Sequence, residues 1–148
     1  MRHENEMELV FESRSVNEGF ARVAVAAFMT QLNPTLEEVS DVKTAVSEAV
    51  TNAIVHAYDS NKQGRIVMRA QLDLQRLTIE VEDFGCGIPD IDLAMRPFYT
   101  SQPEKERSGM GFSLMQSFMD GIQVRSVVGE GTLVTMTKLL EEDKRDVF

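Results

Sequence analysis

Three kinds of side chain recur every four residues in the stretch SEAVTNAIVHAY, residues 47 to 58: Glu48, Asn52 and His56. At about 100° per helical residue, each step of four drifts by only about 40°, so the three share one stripe. The apolar arc of the same helix is centred near Val46, Ala53 and Ala57, with Ala49 beside the stripe. A polar row at such a border fits the wall of a pocket; it also fits a solvated helix edge with His56 near the negative helix end. Two glycine loops bear on the choice. In DFGCG, Asp83 precedes Gly85 and Gly87. Glycine there allows positive φ and close approach of a flat ligand, and a half-buried carboxylate accepts from an exocyclic amine. In SGMG, Ser108, Gly109, Met110 and Gly111 precede an apolar helical pattern. That arrangement aims free backbone N–H groups and the positive helix end at an anion such as phosphate. Each loop alone also fits an ordinary turn or helix entry.

The familiar phosphate and nucleotide fingerprints do not fit. DFG occurs in protein kinases, but no glycine-rich strand loop, paired strand lysine or catalytic His-Arg-Asp segment accompanies it. No glycine is followed by Lys-Ser or Lys-Thr, and Leu114 stands where a dinucleotide fingerprint needs its third glycine.

The elements that must position these residues follow from periodicity. Residues 7 to 13 alternate as a half-buried strand. Ser15 and Glu18 form a capping-box pattern opening a helix with Val16, Phe20, Val23, Ala24, Ala27 and Phe28 on its inner side; Asn33-Pro34 stops it. Thr35 and Glu38 form a second box, predicting a helix from about 36 to Tyr58 with Val39, Val42, Val46, Ala49, Val50, Ala53 and Ala57 inward. RIVMRAQL and RLTIEVED read as two strands, IDLA as at most one helical turn before Pro97, and residues 99 to 108 as a mobile loop. A helix ending at Gly121 and a closing hairpin around GEGT complete the order. The class expected is α+β: a two-layer α/β sandwich with one mainly antiparallel, mixed sheet and helices on one face.

The 148 residues are 43% hydrophobic and carry a net charge of -9, which bounds the chain to one domain and makes nucleic acid an unlikely partner class. One cysteine, Cys86, allows no internal disulfide. With no long apolar run or signal-like start, a soluble cytoplasmic protein with no membrane partner is expected.

Taken in order, Glu48-x-x-x-Asn52, Asp83-x-Gly85-x-Gly87, Gly109-x-Gly111 and Gly129-x-Gly131-Thr132 resemble the four boxes of the GHKL superfamily, the ATP-binding (Bergerat-type) fold shared by gyrase, a class of chaperones, histidine kinases and MutL. Within it, NEGFARV, SEAVTNAIVHAY and ERSGMGFSLM resemble the anti-sigma F factors of endospore-forming bacteria, which are serine kinases. The resemblance implies a single domain over residues 1 to 148, with a lid at about 96 to 108 and a charged tail at 141 to 148. It implies ATP or ADP and Mg²⁺ as ligands, Asn52 holding the metal and Glu48 acting as catalytic base. It implies Asp83 and Thr132 on the adenine amine, Gly85 and Gly87 against the base, and Ser108, Gly109, Met110 and Gly111 around the phosphates. Thr100, Ser101 and Arg107 would act from the lid, and His56 would border ribose or phosphate. Gln102 stands where the relatives' lid carries a lysine, and GEGT replaces an Asn-Lys-Gly-Thr turn. As partners it implies a homodimer, a sporulation sigma factor and an antagonist protein phosphorylated on serine, with Arg22 touching both. The rival readings are an ATP-gated binding module, a chaperone- or topoisomerase-like ATPase, and a detached histidine-kinase catalytic domain.

Overall fold

The computed structural model describes residues 4–58, 64–96 and 111–141. Strand β1 (Asn5–Glu12) leads into helix α1 (Val16–Met29) and a single 3-10 turn; helix α2 (Leu36–Asn52) follows. Strands β2 (Arg65–Asp73) and β3 (Arg76–Asp83) form a hairpin, and a loop leads to the short α3 (Ile91–Ala94). Helix α4 (Gly111–Phe118) and the hairpin of β4 (Gly121–Val127) and β5 (Gly131–Leu139) complete the described chain. The five strands lie in the order β1-β2-β3-β5-β4, and every pairing is antiparallel. The expected mainly antiparallel sheet is therefore found without a parallel pair among the described residues.

Register explains why one face is covered. Phe11, Ile66, Asp83, Thr132 and Ser126 lie opposite one another across the sheet, as do Leu9, Met68, Val81, Val134 and Val124. These two rows, with Ala70, Ile79 and Met136, point to the same side because strand side chains alternate. They close over Ala21, Val25 and Met29 of α1, the buried side of α2, and Met115 and Met119 at α4. The opposite side carries Glu8, Arg69, Glu80 and Glu82, where Arg69 reaches Glu82 at 2.6 Å, Glu80 at 3.0 Å and Glu8 at 3.7 Å.

Two helix starts behave differently. Thr35 has extended backbone, its side chain accepts from the Glu38 N–H at 3.1 Å, and Glu38 accepts from the Thr35 N–H at 2.9 Å. Ser15 already has helical backbone and makes no cap hydrogen bond, so the expected first box is absent. A cap needs the extended conformation to swing its oxygen over the free N–H groups. Glu18 instead accepts from Ser47 Oγ at 3.1 Å and pairs with Arg22.

The inner face of α1 also differs from expectation. Ala21, Val25 and Met29 are buried, while Val16, Phe20 and Val23 are exposed. Both faces of this helix are apolar, so periodicity alone could not choose between them; packing against α2 selected the row spaced by four. On α2 the expected inner residues are buried, with Val39 only partly so, and Ala45 and Glu38 join them.

Candidate functional site

The polar stripe lies on α2, where Glu48 and Asn52 are half-buried. The α-helix does not continue to Tyr58: it ends at Asn52, and residues Ala53–Ala57 form a π turn. Such turns wind more widely and recur at functional sites. His56 sits half-buried in this turn.

Backbone bonds fasten the end of this turn to the DFGCG loop. The Cys86 N–H donates to the Ala57 carbonyl at 2.8 Å, and Cys86 Sγ lies 3.2 Å from the His56 carbonyl. The Tyr58 hydroxyl donates to the Arg65 carbonyl at 2.6 Å and accepts from the Phe84 N–H at 2.8 Å. On the other side of the loop, the Gly129 N–H of the β4–β5 turn donates to the Cys86 carbonyl at 2.8 Å. Loop 84–88 is thus held between the helix carrying the stripe and the last hairpin.

Glycine is required here for two reasons. A side chain at Gly85 would meet the Ala57 carbonyl oxygen at 2.0 Å, and Gly87 has φ +77°. The positive φ anticipated for this loop belongs to Gly87. At Gly85 the absent side chain makes room for the end of the stripe-bearing helix.

Asp83, at the end of β3, is buried together with its register partner Thr132. Asp83 Oδ1 accepts from the Gly85 N–H at 3.0 Å and the Thr132 N–H at 3.2 Å. Burial pushes the Asp83 carboxyl above its usual range, and the two N–H donors oppose that rise. An open cavity of about 300 Å³ at this end of the sheet touches Asp83, Ser126 and Thr132 and is also lined by Glu82, Arg125 and Leu133 of the outer row; Glu48, Asn52, Gly85 and Gly87 are not part of its lining. The arrangement can seat a flat ligand bearing N–H donors. A larger concavity, about 450 Å³, lies between α1 and α2 beside Glu18, Arg22, Lys43 and Ser47 and is remote from this chemistry in its lining.

The histidine kinase-like ATPase domain family matches residues 11–138. The anti-sigma F factor of Thermoanaerobacter sp. (strain X514) is 56% identical over 144 residues, covering 97% of this chain and 100% of the relative. The chain belongs to the anti-sigma F factor family. The Clostridium acetobutylicum anti-sigma F factor is 58% identical over 135 residues, 91% of this chain and 94% of that protein. The crystal structure of the RsbU and RsbW domains of a Mycobacterium tuberculosis protein shares the fold, with TM-score 0.67 at 17% identity. That match covers 92% of this chain but 32% of the other.

In this anti-sigma F factor relative, the structure brings Asp83, Gly85, Gly87 and Thr132 together and stitches them to the helix of Glu48, Asn52 and His56. Gly111 opens α4. Thr100, Ser101, Arg107, Ser108, Gly109 and Met110, and most of the expected lid and tail, lie outside the described residues. Arg22 is half-exposed, with Nε 3.6 Å from Glu18. Sequence reasoning missed Tyr58 and Ser126. Ser126 had a usable signal: it is the polar member of the Ile122, Val124, Ser126 alternation, whose first two residues face the core. Tyr58 had none, because its partners are backbone groups distant in sequence.

Proposed function

We propose that this protein is an anti-sigma factor and an ATP- and Mg²⁺-dependent serine kinase, formed by the whole chain as one domain. The observation that carries the reading is the buried Asp83 carboxylate. It ends β3 beside Thr132, directly before a loop fastened to the turn that follows the helix of Glu48 and Asn52. A buried carboxylate with one oxygen committed to backbone donors suits an adenine amine.

Glu48 and Asn52 are hard-oxygen side chains four residues apart. Among the described residues no group of three or more His, Cys, Asp or Glu side chains could hold a metal by itself. Asn52 fits a magnesium ion held mainly by phosphate oxygens and water, the usual habit of that ion. When bound, Mg²⁺ neutralises charge on the phosphates. Glu48 takes the proton of the attacking serine hydroxyl; the serine oxygen–phosphorus bond forms, the β–γ bridge breaks, and ADP leaves.

The proposed partners are a second copy of the chain, meeting through the N-terminal strand and nearby sheet, a sporulation sigma factor, and a small antagonist protein that is the serine substrate. The exposed Val16, Phe20 and Val23 beside Arg22 on α1 support a protein-binding role for that helix. No described helix is long and apolar enough to cross a membrane; the place of action proposed with these partners is the cytoplasm.

Calorimetry with ATP and Mg²⁺ tests the site. Saturable binding is expected in the wild type, weakened about tenfold or more by Asn52→Ala and by Asp83→Asn. With an antagonist protein as acceptor, Glu48→Ala should bind ATP yet transfer no phosphate. Acid-stable phosphoserine is expected; acid-labile phosphate would favour a histidine kinase, and binding without transfer an ATP-gated binding module.

A further inference from the structure

Ser126 faces inward from β4, and its hydroxyl meets three polar groups. The Ile88 N–H donates to Oγ at 2.7 Å, Oγ donates to the Gly131 carbonyl at 3.0 Å, and Thr132 Oγ1 lies 2.9 Å away. A serine hydroxyl has one proton and two lone pairs. The Gly131 carbonyl can only accept, so the Ser126 proton goes there. The Ile88 N–H takes one lone pair, and what remains for Thr132 is an acceptor. Only one assignment satisfies all three contacts: Thr132 donates to Ser126.

That assignment fixes what Thr132 offers a ligand. With its proton turned to Ser126, Oγ1 presents lone pairs only. Asp83 Oδ1 is occupied by the Gly85 and Thr132 N–H groups, so among the described residues Oδ2 is the oxygen on offer. The pair then shows acceptors alone and has no proton for a carbonyl.

We propose that Ser126 is a specificity-determining positioning residue, orienting the Thr132 hydroxyl so that the site selects a base bearing an exocyclic amine over one bearing a carbonyl at the same position. The proposal rests on the nucleotide reading above and adds a residue and a reason for discrimination. Contact with the amine is direct or through one water, and the polarity is the same in either case. Without Ser126 the Thr132 hydroxyl is free to turn its proton toward the cavity. A carbonyl then gains a donor, while the amine still finds a lone pair on the same oxygen, so the preference narrows through the carbonyl ligand.

The test is calorimetric affinity for ATP and for inosine triphosphate, which replaces the amine by a carbonyl. Wild type, Ser126→Ala, Ser126→Cys and Ser126→Thr are compared. Wild type is expected to favour ATP. In Ser126→Ala the ATP-to-inosine ratio should narrow about tenfold, the scale of one hydrogen bond, and Ser126→Thr should restore it. Ser126→Cys keeps the bulk but is a weak acceptor; it should narrow the ratio too, and it serves if the alanine variant does not fold. Loss of affinity for both nucleotides in parallel, with the ratio unchanged, overturns the proposal and leaves Ser126 a structural brace. Wild type that binds neither nucleotide overturns the site reading itself, a result distinct from an unchanged ratio.

Discussion

Asp83 shows what the site costs the fold. Its folded pKa is raised mainly by burial, so the native state holds its proton more tightly than the unfolded chain does. The sign follows: as pH rises from below the ordinary value of 3.8 through the raised folded value, the stability associated with the protonated group is lost. At neutral pH the buried carboxylate is therefore a net burden on the folded state. Asp83→Asn keeps an acceptor for the Gly85 and Thr132 N–H groups, and denaturant melts at pH 7 should find it at least as stable as wild type while nucleotide binding falls. Its stability advantage should shrink as the pH is lowered toward 4, because the wild-type carboxyl then takes up its proton. Asp83 itself was legible in the sequence from the two glycines that follow it. Its hold on Thr132 was not, since that contact depends on the register of β3 against β5.

Helix ends divide into those the sequence specified and those that tertiary contacts decided. Thr35→Ala should cost about 1 kcal/mol in urea unfolding, the typical value of a cap, whereas Ser15→Ala should be close to neutral. Both positions show the same Ser/Thr-x-x-Glu pattern, and only the backbone at the cap separates them. The end of α2 is the second case. Its pattern runs through to Tyr58, yet the chain leaves α-helical winding after Asn52, where the Ala57 carbonyl receives the Cys86 N–H. Gly85→Ala puts a methyl group against that carbonyl and should destabilise the protein by about 1–3 kcal/mol, with a matching loss of nucleotide binding if the loop shifts. Thermal melts with and without ATP separate the two effects. For α1, hydrophobic residues on two faces made the inner one unreadable. The choice of Ala21, Val25 and Met29 belongs to the α1–α2 contact, which one helix read alone does not contain.

At the scale of the molecule, alternation along each strand was enough to place the core on one side of the sheet, and the five-stranded antiparallel order follows from the hairpins and the pairings of β1 with β2 and of β3 with β5. What the alternation could not reveal is how the outer side manages its charge. The chain carries a net -9, and three glutamates, one from β1 and two from β3, converge on Arg69 of β2. Arg69→Ala leaves Glu8, Glu80 and Glu82 without that partner; it should destabilise by about 2 kcal/mol at low ionic strength, much of it recovered in high salt, as followed by urea melts. The loop between the two halves of the site has a practical consequence as well. Cys86 is held by its backbone N–H on one side and its carbonyl on the other, while its side chain is exposed. It is also the only cysteine in the chain. A thiol-reactive fluorophore would therefore attach at one defined place, three residues after Asp83, and leave both backbone hydrogen bonds intact. The protein carries its own attachment point for an optical reporter of ligand arrival.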